Sequence, residues 1–345
     1  MNNNQDFHIQ PNHISEDTKA SMKTRIITAI VAALIVAPLL FFGDFGFLSL
    51  AMFGLVVGII EIIKCPGKKY SIWLYIISIV LGGAVAFWPI FVSLFNSLTG
   101  ILPNLEQIPI ENWRIFSQLS TLVVPVSAFI IGALALFITV VFDPGFDVRD
   151  ACYIFTMVVL VSIGIQSIVL LRFFPSYERY ITQGVEITSY FNWFDNFESS
   201  MLIIYVVIGT FMSDIGAYFV GVFFGKHKMN PRISPKKTWE GFFGGIILSS
   251  IVSFAFAFIF ALCGRPLLSF LDVSHWYIIL ILSLTIPPIS VLGDFVFSSI
   301  KRYYGKKDFG NIMPGHGGIL DRIDSLIFSM ILSALIISLC IFWMK

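Results

Sequence analysis

Apolar and polar positions fall along this chain in long blocks rather than at short periods. Mostly apolar runs of about 20 residues, enough to cross a bilayer as helix, recur at roughly 26–42, 45–63, 72–95, 119–141, 151–174, 201–224, 241–263, 274–297 and 325–344. Nothing alternates at the two-residue period of a strand, so a membrane barrel is not expected. The pattern predicts an all-α, polytopic membrane protein with about nine transmembrane helices. Residues 1–22 are polar and aperiodic, as in a disordered tail. Residues 23–200 would form an N-terminal transmembrane region of five spans and an outer loop. Residues 201–345 would form a catalytic region of four spans and two basic loops. The first span is longer than a signal-peptide core and is expected to be retained.

Composition agrees: 57% of residues are hydrophobic, 16% aromatic and only 12% charged. The net charge of +1 hides an asymmetry. With a cytoplasmic N-terminus, most of the 22 lysines and arginines lie inside, leaving Arg114, Arg172, Arg179, Arg265 and Lys345 outside. The C-terminus is then expected outside. Two basic loops, 225–240 and 298–325, share the inner face. No soluble basic domain exists to hold a duplex, so nucleic acid is excluded; phosphorylated metabolites and membrane lipids fit better. Cys65, Cys152, Cys263 and Cys340 lack metal-ligand spacing and are expected to pack as small apolar residues.

Candidate chemistry concentrates in those two loops. Asp321 and Asp324 lie three apart at the start of the last span, on one face of its first turn. Asp294 ends the preceding span, and the intervening loop is short enough to bring all three together. A charged group facing lipid costs about 2.5–3.5 kcal/mol, and clustered acids repel; a divalent cation relieves both. Helix capping alone is the competing reading of Asp321 and Asp324. Gly315, Gly317 and Gly318 flank His316, and their amides, with the helix start behind them, suit an anion. Together with Lys301, Arg302, Lys306 and Lys307 they describe a metal–phosphate site. Upstream, Asp214 lies inside an apolar span, with Gly221 and Gly225 on the same helix allowing close packing or ligand approach. Pro231 and Pro235 shape a loop carrying Lys226, Lys228, Arg232, Lys236 and Lys237. For these lysines, topology alone is the competing explanation.

The runs Ser298-x-Ile300-Lys301-Arg302, Lys307-Asp308 and Pro314-Gly315-His316-Gly317-Gly318-Ile319-Leu320-Asp321-Arg322-Ile323-Asp324 resemble the defining motif of CDP-diacylglycerol synthases, also called phosphatidate cytidylyltransferases. The upstream SDxxAYxxGxxxGKHK and SPKKTWEG segments resemble that family too. The likeness is close over roughly the second half and holds only in span layout over the first. It implies cytidylyl transfer from CTP to phosphatidic acid, giving CDP-diacylglycerol and pyrophosphate at the cytoplasmic edge of a bacterial-type inner membrane. It also implies Mg²⁺ or Mn²⁺ held by Asp294 and Asp321 with Asp324 ligating or supporting, a monovalent cation such as K⁺ nearby, and room for a homodimer. On this resemblance Lys301, Arg302, Lys307 and Arg322 contact phosphate, with His316 among the catalytic groups. Ser234, Lys236, Lys237 and Thr238 then recognise nucleotide or lipid phosphate, and Asp214 serves the metal site or holds a helix. The chain departs from the bacterial pattern at Phe297, where Glu is expected three residues after the Asp of the GD pair. A related lipid or prenol kinase, a CDP-archaeol-type synthase and an ion-coupled transporter are the alternatives. The complete HGGxxDRxD run argues against the kinase, and charge gathered at one face argues against transport.

Overall fold

The structure, a computed structural model, describes residues 16–41, 44–99, 110–183, 193–315 and 317–344. Helices dominate these residues: α1 (Glu16–Phe41), α2 (Asp44–Lys64), α3 (Ile72–Thr99), α4 (Ile110–Phe142), α5 (Val148–Gln183), α6 (Trp193–Phe224), α7 (Trp239–Leu262), α8 (Trp276–Tyr303) and α9 (Leu320–Met344). Six segments are long and apolar enough to cross a membrane, namely Phe45–Lys64, Val148–Pro175, Ser199–Phe224, Trp239–Leu262, Trp276–Tyr303 and Leu320–Ile341. The stretches Ile27–Phe41, Ile72–Trp88 and Val126–Phe142 are apolar but shorter. The chain is thus a multi-pass, mainly helical protein, and the expected count of nine rests on these three shorter stretches as well.

One departure from an all-α chain lies between α6 and α7. There β1 (Lys228–Asn230) pairs antiparallel with β2 (Ser234–Thr238), Lys228 opposite Thr238 and Asn230 opposite Ser234. Two prolines and five basic residues had concealed a ribbon this short, which lies below the length at which alternation can be read.

Helix α5 sits centrally, against α2, α3, α4, α6 and α9. Its Ile154, Val158, Val161 and Ile165 share one buried cluster with Leu55, Ile59, Ile62 and Ile63 of α2, the three-and-four spacing that puts residues on one helix face. The opposite faces remain apolar, as Ile130, Leu134, Phe137 and Val141 of α4 show, because lipid rather than water is the expected solvent there. Arg172, expected outside, lies toward that end of α5 but is fully buried, its guanidinium over the rings of Phe47 and Phe173 at 5.9 and 5.7 Å. Of the cysteines, Cys65 is buried as expected, whereas Cys152 and Cys263 are exposed.

Helices α6 and α7 form the most extensive helix pair. A Cβ on Gly241 would stand 2.6 Å from the Ala217 carbonyl, and one on Gly245 2.6 Å from that of Ser213. Small residues let two backbones approach where lipid gives no hydrophobic drive for association. Gly221 joins this crossing, against the Gly241 backbone; the glycines of α6 therefore serve packing. The Ser249 hydroxyl donates to the Gly209 carbonyl at 2.6 Å and that of Ser250 to the Ser283 carbonyl at 3.0 Å, tying α7 to α6 and α8.

Contacts between distant segments sort by helix end. Lys68, after α2, pairs with Asp147 and Asp150 at the start of α5, at 3.2 and 2.6 Å. Donating hydrogen bonds to the Asp150 and Asp147 carboxylates raises the Lys68 pKa. The Thr28 hydroxyl donates to the Pro314 carbonyl, so α1 touches the loop before α9. At the other end of α1, Phe41 stacks on Phe197 and the Leu40 carbonyl accepts from Ser200.

Candidate active site

The site forms where α6, β2, α8 and α9 converge. Gly293 of α8 makes the convergence possible: a Cβ there would lie 3.0 Å from both the Asp324 carbonyl and the Phe328 Cβ. Glycine lets α8 lie close on α9, bringing Asp294 within electrostatic reach of Asp324. Asp294 Oδ2 is 2.5 Å from Lys237 Nζ, and its Oδ1 accepts from the Ser298 hydroxyl at 3.3 Å. Lys237 reaches it because strand geometry sends successive side chains to opposite faces. Lys236 is exposed, while Lys237 turns inward over the Phe295 ring, 4.8 Å from its centroid. Asp214 of α6 lies within electrostatic reach of Lys237 and Asp294.

Two helical turns beyond Asp294, Lys301 points to the other pair of acids. Its Nζ donates to Asp321 Oδ1 at 2.9 Å and lies 3.7 Å from Asp324 Oδ2. Its side chain is 8% exposed and that of Asp321 3%, so neither charge is left to water. Asp321 Oδ2 accepts backbone N–H bonds from Phe309 at 2.8 Å and Gly318 at 2.9 Å. One carboxylate thus fixes the end of α8, the middle of the loop and the start of α9.

That loop turns at Gly315 and Gly317, with φ of 74° and 89°, a region that disfavours residues bearing a Cβ. Gly317 exchanges backbone hydrogen bonds with Met313. The amides of Ile319 and Leu320, free donors at an ordinary helix start, donate to Glu61 of α2 at 3.0 and 2.8 Å. The amides of Gly317, Gly318, Ile319 and Leu320 are therefore engaged within the protein rather than open to an outside anion. His316 lies outside the described residues.

The remaining candidates divide. Arg302 is exposed and donates from Nε to the Ile233 carbonyl and from Nη1 to the Lys306 carbonyl, joining α8 to the hairpin. Lys307 and Arg322 are exposed near the site, and Ser234 is half-buried at the start of β2. Thr238 is buried and caps α7, its hydroxyl oxygen accepting from Gly241 N at 3.2 Å. Phe297, where Glu was expected, is buried edge-on to Phe309 and Phe328. It packs the loop rather than offering a charge.

Sequence reasoning missed Glu61. It is 2% exposed, in the last turn of α2, 258 residues from Ile319 in sequence. The available signal was a lone carboxylate in an apolar run, which needs a partner; nothing local says which.

The donors here are carboxylate oxygens, the type that a hard divalent cation takes. Asp294 and Asp324 suit such an ion, each with one oxygen facing an ammonium that could yield to it, whereas Asp321 besides meeting Lys301 holds the loop through the amides of Phe309 and Gly318. Among the described residues no three His, Cys, Asp or Glu groups converge closely enough to share one ion; lysines separate the acids. The arrangement is an alternation of charges, Asp214, Lys237, Asp294, then Lys301 between Asp324 and Asp321, able to exchange its internal pairs for phosphates and a cation.

Comparison with known proteins is concordant. The chain is 30% identical over 308 residues to the phosphatidate cytidylyltransferase of Staphylococcus haemolyticus (strain JCSC1435), covering 89% of this chain and 95% of that protein. It is 46% identical over 128 residues to the protein of that name from Bacillus subtilis (strain 168), covering 37% of this chain and 44% of that protein. The corresponding protein of Haemophilus influenzae is 42% identical over 132 residues, covering 38% and 44%. The kinase and transporter alternatives find no counterpart among these three relatives. The sequence model described as Cytidylyltransferase family matches residues 23–340, and the chain belongs to that family.

Proposed function

We propose that this protein transfers the cytidylyl group of CTP to phosphatidic acid, forming CDP-diacylglycerol and releasing pyrophosphate. The observation that carries this reading is the alternation of acids and lysines at one end of α6, α8 and α9, in a chain aligned over most of its length with phosphatidate cytidylyltransferases. A phosphate oxygen of the lipid attacks the α-phosphorus of CTP, and the bond from that phosphorus to the bridging oxygen of the β-phosphate breaks. Already anionic, the lipid phosphate needs no strong base; binding, alignment and charge neutralisation supply most of the rate. Lys237 and Lys301, released from their acids, would hold phosphate oxygens. Exposed Lys236, Arg302, Lys307 and Arg322, with Ser234, would draw the nucleotide and the lipid headgroup to the site.

Asp294 and Asp324 would hold Mg²⁺ or Mn²⁺, with Asp321 fixing the loop beside it and Asp214 acting from α6. When bound, the ion would neutralise charge on the reacting phosphates and the departing pyrophosphate. A monovalent cation such as K⁺ near these acids completes the proposal. The reading includes nine spans in a bacterial-type inner membrane, a cytoplasmic N-terminus, an outside C-terminus and the site at the cytoplasmic edge; a homodimer is compatible with it. The basic loops support that orientation, as do the contacts of α1, which meets the Pro314 loop at one end and Ser200 at the other. The test is to incubate purified protein with labelled CTP and phosphatidic acid and follow lipid-soluble label. Transfer dependent on Mg²⁺ or Mn²⁺ is expected; no transfer would sink the activity, and full transfer after exhaustive chelation would sink the metal assignment.

A further inference from the structure

Helix α2 belongs to the half of the chain in which the sequence offered no chemistry, yet its last turn meets the motif loop from two sides. Both Glu61 oxygens accept backbone N–H bonds from the first turn of α9, Oε1 from Ile319 and Oε2 from Leu320. Three residues on, the Lys64 carbonyl accepts from Lys306 Nζ at 2.9 Å. The loop is cut to fit this carboxylate. A Cβ on Gly318 would stand 2.5 Å from each Glu61 oxygen, and one on Gly310 would run into Oε1. Glycines at both points allow the backbone to close around the carboxylate. One residue beyond the capped amides is Asp321, which holds Lys301, Phe309 and Gly318.

We infer that Glu61 is a positioning residue for the reaction proposed above. It touches no substrate; it fixes the start of α9 and the loop 308–320, and through them Asp321 and Lys301. A helix start can be capped by its own neighbouring residues. Here the cap comes from another helix, so it sets where α9 begins relative to α2 as well as satisfying the amides. A displacement of about 1 Å at reacting groups can cost about a hundredfold in rate. Loss of the clamp should therefore act on kcat more than on KM for CTP.

The test compares wild type, Glu61→Gln and Gly310→Ala in two assays. One is turnover, as kcat and KM for CTP. The other is alkylation of a cysteine placed at Ile312, an exposed position in the loop, followed by peptide mapping in protein that purifies folded. The expected result for Glu61→Gln is a kcat lowered by about tenfold or more, KM within about twofold, and clearly faster alkylation at 312. Gly310→Ala keeps the charge but drives the carboxylate off the loop, and should give the same pair of changes. A residue needed only for folding would lower yield while leaving kcat and loop accessibility of the folded fraction at wild-type values. That result, lowered kcat without altered alkylation, or failure of both variants to fold would overturn the inference. If wild type itself transfers no cytidylyl group, the activity proposal fails. The alkylation comparison then still decides whether Glu61 holds the loop.

Discussion

Lys236 and Lys237 are neighbours in sequence but stand on opposite faces of β2, one exposed and one against Asp294. A contact to a charged group contributes roughly 1.5–3 kcal/mol, or about tenfold to hundredfold in rate or binding. Lys237→Ala is therefore expected to lower kcat/KM for CTP or phosphatidate at least about tenfold, with normal insertion. Lys236→Ala should act mainly on KM, since its exposed side chain has no acid to release among the described residues. Steady-state kinetics of both variants check this, and indistinguishable effects would contradict the division of roles. Asp294→Asn and Asp321→Asn should each remove nearly all turnover for different reasons, the first by losing a cation ligand and the second by freeing the loop. Loop alkylation at position 312 should rise only in Asp321→Asn. The clustering of Asp294, Lys301, Asp321 and Asp324 was legible because acids at the ends of apolar spans are costly unless paired. Their division was not, because it depends on which oxygen meets which amide. Thr238 shows the same limit: a hydroxyl in a basic loop looks like a ligand contact, and here it caps a helix.

Helix pairing explains why the glycines of α6 and α7 recur. At Gly245 a side chain would meet the Ser213 carbonyl of the facing helix, whereas at Gly83 of α3 a Cβ would meet nothing within 4 Å. Overpacking a close crossing costs about 1–3 kcal/mol. Gly245→Val should therefore lower the thermal midpoint of the purified protein by several degrees, while Gly83→Ala leaves it unchanged or raises it. A thermal melt of both variants provides the check. Among the described residues each helix overlaps an expected apolar block, and six of them are long and apolar enough to cross a membrane. The β1–β2 hairpin escaped because ribbons this short carry no period, and its basic residues read equally well as topology.

Viewed as a molecule in a bilayer, the protein carries its own orientation probes. Exposed Cys152 lies near the start of α5 and exposed Cys263 just past α7, and these ends fall on opposite sides of the proposed arrangement. A membrane-impermeant thiol reagent should label Cys152 only from the cytoplasmic side and Cys263 only from outside. Cys65, buried, should resist from either side; burial also raises its pKa, which keeps the unreactive thiol form. Labelling of Cys152 and Cys263 from the same side would refute the topology. The asymmetry of basic residues made the proposed sidedness readable in the sequence. The joining of the two halves was not, because Glu61 and Ile319 are too far apart in sequence for any local spacing to link them.

The cap on α9 also fixes an order of events during synthesis. Glu61 is made 258 residues before Ile319, so its bonds to the start of α9 can form only after that helix has been made. Residues from 193 onward, made alone, would carry the whole motif but leave the Ile319 and Leu320 amides bare. Such a fragment should be inactive and readily degraded. Supplying residues 1–192 as a separate chain should restore cytidylyl transfer, and restore it poorly when that chain carries Glu61→Ala.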